Sequence, residues 1–212
     1  MEKVNVEYVI PESKKDITIE KWIAFEKIAN VENTDKEFLD KKMLQIFCDV
    51  PLKYSMLMKA SEISEMMNAI NDVFSSPAEM QHIFKYNDVE YGLIPNFSDD
   101  ITAGALIDLE NYASDKDWCR MLSILYRPIT KKIGNYYEIE PYTGTHLKFL
   151  QLGYDVLEGV LSFFLRGYQI ITDYTLKSTL KQVKMMKNLD STTLEKVNSL
   201  LNGVHIPKLY GC

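Results

Sequence analysis

The chain has 212 residues, of which 46% are hydrophobic and 25% charged, and its formal net charge is −6. This length suits one large domain or two small ones, and the composition is typical of a protein that buries a core. The acidic balance argues against broad nucleic-acid binding, which requires a basic surface. Three scattered cysteines and three separated histidines disfavour a zinc site, so we expect buried free thiols, no metal and no cofactor.

The first residues lack the basic-then-apolar pattern of a signal peptide, which predicts synthesis in the cytosol. The most apolar run, residues 152–171, contains Asp155, Glu158 and Arg166. A membrane span needs about 20 nearly uncharged residues. The run is therefore predicted to be a buried core helix.

The chain opens with a predicted strand and helix. Alternating apolar residues over 4–10 indicate a strand with one buried face, which Pro11 ends. Asp16 or Thr18 can cap the helix that follows, because apolar residues then recur at helical spacing.

Two more helices are predicted before residue 78. Thr34 has capping-box spacing to Glu37 for the second helix, which Pro51 closes. Ser61 can cap the third, which stops at Ser75-Ser76-Pro77. The methionines of this part are predicted to fill the core, namely Met56, Met58, Met66 and Met67.

The second half is predicted to contain more strand. Residues 83–92 indicate a hairpin with Asn87-Asp88 as its two-residue turn. A helix starts at 100–102, and another spans 118–125 until Pro128 ends it. A turn over 133–136 then leads into a strand over 137–140.

The C-terminal part is predicted to be helical. Residues 150–175 form a long apolar helix with a kink at Gly159 or Gly167. Two shorter helices follow at 179–189 and 192–201. The lysines that begin at Lys177 are expected to form a solvated face.

Residues 6–18 and 89–102 are nearly the same. Each has Val-Glu-Tyr, then Ile-Pro, a polar link and Asp-Ile-Thr, which indicates a duplicated unit. We expect an α+β fold, predominantly helical, with two related strand-helix-helix-helix units and a small antiparallel sheet. The predicted boundaries are 1–78 and 82–175 for the two units and 176–212 for a Lys-rich helical tail.

The densest local signal is the run Tyr126-Arg127-Pro128. If Pro128 ends a helix, Arg127 can cover the last carbonyls of that helix. Its planar fork can also bind a carboxylate, and Asp108 and Glu110 on the preceding helix are the candidates. Alternatively, Arg127 lies in an interface with another protein.

Tyrosines near this run suit a protein interface better than base stacking, because they lack interleaved basic residues. The predicted interface or structural residues are Tyr126, Arg127, Pro128, Asp108, Glu110, Tyr136, Tyr137 and Tyr142. No catalytic residue is predicted. The glycines form no phosphate-binding loop, no GxSxG motif occurs, and an i, i+2 acidic pair on a helix points to different faces.

Four segments carry a resemblance: Val89–Asn96, Ile101–Glu110, Leu122–Ile129 and Tyr137–Tyr142. They resemble a group of small proteins encoded among the structural genes of tailed bacteriophages, of the type found in phages of Bacteroides-type gut bacteria, including the crAss-like group. The resemblance covers residues 84–175 well and 16–75 more loosely, and its most specific piece is Leu-Tyr-Arg-Pro-Ile. This sequence departs from the group at residues 103–105, where a Gly-Glu-aromatic run is expected.

The resemblance implies a non-enzymatic phage protein that acts through protein–protein contacts in the head–tail junction, the tail or the packaged contents. Its partners would be other phage structural proteins or further copies of itself. The acidic balance argues against nucleic acid as a partner, and the charges within residues 152–171 argue against a membrane. It would reside in the virion, or in the host bacterial cytoplasm during assembly. A tail assembly chaperone absent from the virion and a small cytosolic enzyme of unknown reaction are the alternatives.

Overall fold

The computed structural model describes residues 8–32, 35–144 and 146–164. Contacts divide the chain into two compact units, 1–160 and 161–212. The helices are α1 (Ile19–Ala29), α2 (Lys36–Phe47), α3 (Leu52–Ser55), α4 (Ala60–Ser75), α5 (Phe97–Asp100), α6 (Ala103–Ser114), α7 (Trp118–Leu125) and α8, which begins at 154 and is described to 164. The strands are β1 (Ile83–Tyr86), β2 (Val89–Leu93), β3 (Tyr126–Ile133) and β4 (Tyr136–Ile139).

The four strands form one antiparallel sheet in the order β1-β2-β3-β4. The predicted α+β class, with helix predominating, is therefore confirmed. Both predicted repeat units contribute residues to the first compact unit, and the boundary near residue 78 stays a prediction. The predicted tail helices and the predicted kink at Gly167 lie outside the described residues.

The predicted hairpin is confirmed. Asn87 and Asp88 have φ values of 48° and 64° and connect β1 to β2 as a two-residue turn. Positive φ at both positions matches the right-handed twist of the flanking strands. Asn and Asp tolerate this region better than other non-glycine residues.

Pro128 does not end a helix. Helix α7 stops at Leu125, and Pro128 lies in β3, where Arg127 pairs with Gly92 and Pro128 with Tyr91. The Pro128 carbonyl accepts the Glu140 N–H (2.9 Å). The Pro128 nitrogen, which carries no hydrogen, points to the same side and therefore faces residues just beyond the end of β4. A proline is tolerated there because no regular ladder bond is lost.

Several predicted starts are wrong by a few residues. The carboxylate of Asp35 caps α2 by accepting the Phe38 N–H (3.2 Å), and α4 begins at Ala60 rather than after Ser61. Pro51 precedes the short helix α3, which was not predicted. Residues 8–10 of the predicted first strand belong to no strand, and the Val9 N–H donates to the Cys48 carbonyl (3.2 Å). Residues 4–7 lie outside the described part of the chain.

The two similar segments differ in their first halves, because residues 8–10 belong to no strand while Val89–Leu93 form β2. Their second halves follow similar local paths. A short helical turn (Lys14–Asp16 in the first, α5 in the second) precedes an extended isoleucine, and a threonine then caps a helix. Thr18 Oγ1 accepts the Lys21 N–H, and Thr102 Oγ1 accepts the Ala105 N–H, both at 3.2 Å. The same short motif thus specifies the same helix start twice.

Two aromatic clusters contribute to the core. The helical cluster joins rings from α1, α2 and α4 with the first residue of α8: Trp22, Phe25, Phe47, Phe74 and Tyr154. The sheet cluster lies on one face of the sheet and comprises Phe84, Tyr86, Tyr91, Tyr126 and Phe149. Of the predicted core methionines, Met66 is buried, but Met56 is 64% exposed because α3 presents it to solvent.

Gly159 has a packing role inside α8. A Cβ at this position would lie 2.6 Å from the carbonyl oxygen of Glu79, so only glycine lets the two backbones approach this closely. The preceding residue, Glu158, forms an ion pair with Lys14, which is only 4% exposed. Lys14 also donates to the carbonyl of Ser76 (2.5 Å), so a single buried ammonium joins three parts of the chain.

We predict that Lys14→Met lowers the free energy of unfolding by about 3 kcal/mol, because the Glu158 carboxylate and the Ser76 carbonyl lose their cation. The matched control is Lys85→Met, which removes the exposed ion pair with Asp88 and is expected to cost less than about 0.5 kcal/mol. Urea titration of both variants measures the difference. Equal losses in the two variants would contradict a buried ion pair at Lys14.

Candidate functional site

The sheet has two different faces. Tyr126 belongs to the inner face, where its side chain is fully buried and its hydroxyl donates to the Gln81 carbonyl (2.6 Å). Its role is therefore in the core. The opposite face, here called the outer face, is defined by Gly92, Arg127, Ile129 and Tyr137. Arg127, Ile129 and Tyr137 are half-buried, and Gly92 lies beneath the Tyr137 ring.

Tyr137 crosses the outer face from β4 to β2. Its hydroxyl donates to the carbonyl of Leu93 (2.8 Å), and a Cβ placed on Gly92 would lie only 2.4 Å from its ring. Glycine is therefore needed in β2 to admit the ring. Burial raises the pKa of the Tyr137 hydroxyl, which remains a neutral donor at ordinary pH.

Arg127 stands beside Gly92 on the outer face. Its Nε atom is buried and has no hydrogen-bond acceptor in the described structure. No carboxylate among the described residues forms an ion pair with it. Burial lowers the pKa of the guanidinium, and the charge of Asp100 partly opposes this effect. The expected bonds from Arg127 to Asp108, to Glu110 or to helix-end carbonyls are absent from the described residues, because Arg127 lies in a strand.

Asp108 is used elsewhere. Its carboxylate accepts the hydroxyl proton of Tyr142 (2.7 Å), which ties the segment after β4 to α6. Burial, followed by this hydrogen bond to Asp108, raises the pKa of Tyr142. Glu110 points to solvent on the same helix. Asp108 and Glu110 thus have different surroundings, as their i, i+2 spacing predicts.

His146 forms a second connection to the same helices. Its Nε2 lies 3.1 Å from the hydroxyl of Tyr112, and its Nδ1 lies 3.3 Å from Oγ of Ser123. The Ser123 hydroxyl donates its one proton to the Arg120 carbonyl (2.7 Å). Nδ1–H therefore donates to Ser123, and Nε2 accepts from Tyr112.

The contact between Ser123 and His146 is structural. A serine nucleophile must give its proton to the histidine, whereas this hydroxyl gives its proton to a backbone carbonyl and accepts from the ring. The sequence prediction missed this network because Tyr112, Ser123 and His146 are far apart in the chain. Their separation of 11 and 23 residues carries no local signal.

The remaining predicted site residues are not brought together. Tyr136 is 59% exposed at the tip of the β3–β4 hairpin, beside the exposed Ile133. Tyr137 follows it in β4 and therefore faces the other side of the sheet, while Tyr142 binds α6. Tyr136, Tyr137 and Tyr142 thus occupy three separate surroundings.

The free thiols of Cys48 and Cys119 are buried, as expected, and Cys212 lies outside the described residues. Burial raises the pKa of Cys48 to about 11. Within residues 8–32, 35–144 and 146–164, no group of three His, Cys, Asp or Glu side chains could hold a metal ion. None of the helices in this part combines the length and apolarity needed to cross a bilayer.

The chain matches no protein-family model, no curated protein and no solved structure.

We predict that Gly92→Ala lowers the free energy of unfolding by about 1–3 kcal/mol, because the added methyl displaces the Tyr137 ring and its bond to Leu93. Gly104→Ala is the matched control. A Cβ at Gly104 meets no atom within 4 Å on α6, so alanine is expected to raise the free energy by about 0.5 kcal/mol. Urea unfolding compares the variants. A neutral or stabilising Gly92→Ala would contradict the close contact with Tyr137.

We predict that the free energy of unfolding falls as the pH rises above about 10, the ordinary tyrosine pKa. Folding raises the pKa of Tyr142, so the folded state holds a proton that the unfolded state loses, and this stabilisation disappears at alkaline pH. Asp108→Asn removes the carboxylate and should make the decline shallower, whereas the exposed Asp88→Asn should leave it unchanged. Urea unfolding from pH 8 to 11 measures each slope. Equal slopes for the two variants would contradict the coupling of Tyr142 to Asp108.

Proposed function

We propose that this protein is a non-enzymatic component of a tailed bacteriophage. It acts through protein–protein contacts in the head–tail junction, the tail or the packaged contents. Its partners are other phage structural proteins or further copies of itself. It resides in the virion, and in the host bacterial cytoplasm during assembly.

The position of the resembling segments supports this proposal. Val89–Asn96 contains β2, Ile101–Glu110 lies mostly in α6, Leu122–Ile129 joins α7 to β3, and Tyr137–Tyr142 contains most of β4. These segments are neighbours through strand pairing and through the Tyr142–Asp108 bond. The resemblance therefore follows a set of residues that fold against each other.

The observation that carries the proposal is the state of Arg127. A guanidinium that is half-buried and has no carboxylate partner among the described residues is costly to the isolated fold. Arginine and aromatic residues are enriched where proteins bind each other. A partner that supplies the missing acceptor would recover this cost, which favours a contact surface on the outer face.

The hairpin tips carry a separate apolar patch, which projects on the opposite side of the sheet from Arg127. Val89, Ile133 and Tyr136 are 40%, 64% and 59% exposed at adjacent hairpins. Lysines nearby are already paired with glutamates, Lys131 with Glu138 and Lys132 with Glu90. Paired lysines contribute little net charge, so this region suits a mixed protein contact better than a polyanion.

Mass spectrometry of purified phage particles tests the proposal. We expect this protein at a fixed copy number relative to the tail and portal proteins, and we expect it to withstand a high-salt wash. An abundant host cytosolic protein serves as the control for contamination. The level of the host protein should fall on each round of purification, while the level of the phage protein stays constant.

Two other outcomes would contradict the proposed role as a virion component. If the protein is absent from particles but is recovered from infected cells in complex with a single tail protein, it is an assembly chaperone. If it is absent from particles and infected-cell extracts show a small-molecule conversion that depends on it, it is an enzyme.

A further inference from the structure

Arg127 offers its hydrogen bonds in one direction only. Nε is closed from solvent and has no acceptor, and the residue is held in the middle of the sheet between β2 and β4. An incoming acceptor must therefore approach the Nη end of the guanidinium. Two parallel N–H donors at that end match the two oxygens of a carboxylate.

The surroundings of Arg127 limit the kind of anion that fits. Asp100 lies close enough to affect the guanidinium electrostatically but forms no ion pair with it, and its carboxylate already accepts the Asn96 N–H (3.0 Å). The Tyr137 ring lies against Gly92, the residue that pairs with Arg127, and its hydroxyl is already bonded to Leu93. The opening thus provides one cation next to apolar surface, with a negative charge nearby.

We propose that Arg127 binds a single carboxylate of a partner protein, either an Asp or Glu side chain or the partner's terminal carboxylate, with an apolar neighbour of that residue packed on Tyr137 and Ile129. This assignment rests on the proposed role in protein–protein contacts and names the chemistry of the partner. The partner residue completes the hydrogen bonding that the isolated protein leaves open.

A nucleic-acid backbone fits this site less well. A phosphate backbone brings several charges at regular spacing, and proteins that bind it use several unpaired lysines and arginines. On the sheet, the two lysines of β3 are paired with glutamates, and Asp100 repels a second phosphate. A single planar carboxylate avoids this repulsion.

The experiment is an NMR titration of the full-length protein with sodium acetate at constant ionic strength, with sodium chloride as the blank. The guanidinium resonances of Arg127 and the amide of Gly92 report binding. We expect a saturable shift with half-saturation at about 10–100 mM acetate. Arg127→Lys keeps the charge without the planar fork and should bind about tenfold more weakly. Arg127→Gln should show no saturable shift.

Arg120→Gln is the matched control, because Arg120 is exposed and already paired with Asp117 (3.4 Å). Its titration should be the same as that of the wild type. A linear response in the wild type, or an equal loss in the Arg120 and Arg127 variants, would overturn the proposal. Tighter binding of inorganic phosphate or of an oligothymidine than of acetate would overturn the choice of a carboxylate.

A phage carrying Arg127→Gln separates this inference from the proposed function. If the variant protein is lost from particles while Arg120→Gln is retained, both are supported. If Arg127→Gln is incorporated at the normal copy number, the proposed function stands and the carboxylate contact is wrong. If acetate binds at Arg127 but the wild-type protein is absent from particles, the anion site stands and the virion role is wrong.

Discussion

The segment from Phe149 to Tyr154 is the constraint on which the rest of the first compact unit depends. Phe149 is fully buried in the sheet cluster, where its ring meets Phe84 edge-on (5.7 Å). Five residues later Tyr154 stacks on Trp22 in the helical cluster, with ring centroids 4.2 Å apart. Between them Gly153 pairs with Thr18 as an isolated bridge. This short segment contributes a ring to each cluster and therefore connects the helices to the sheet.

The sheet positions the candidate site through a second close approach. Because Gly92 has no side chain, Tyr137 can lie across the strands and bond to Leu93, and Gly92 pairs directly with Arg127. A larger residue at position 92 would displace the Tyr137 ring. The Arg127 guanidinium has no carboxylate partner among the described residues, so it is the part of the outer face that a bound partner can stabilise.

The helices that follow the two similar segments have different surroundings. Glu26, eight residues after Thr18, is buried, accepts the Trp118 Nε1–H (2.7 Å) and pairs with Lys116 (3.1 Å), so it fastens α1 to the start of α7. Glu110, eight residues after Thr102, is exposed. The same local motif starts both helices, but what each helix packs against decides whether its glutamate is structural or solvated.

Local signals in the sequence determined the class of fold, the β1–β2 hairpin, the helix starts within 16–18 and 100–102 and the helix over 118–125. Each of these depends on residues within one or two turns of the backbone, where capping, periodicity and turn preferences act directly. Only the tertiary structure decided that Pro128 lies in a strand, that Asp108 binds Tyr142 instead of Arg127, and that His146 contacts Ser123. Each of these three placements depends on which strand or helix packs against the residue in the folded protein. The energy of pairing across the sheet outweighs the local preference of a proline to end a helix.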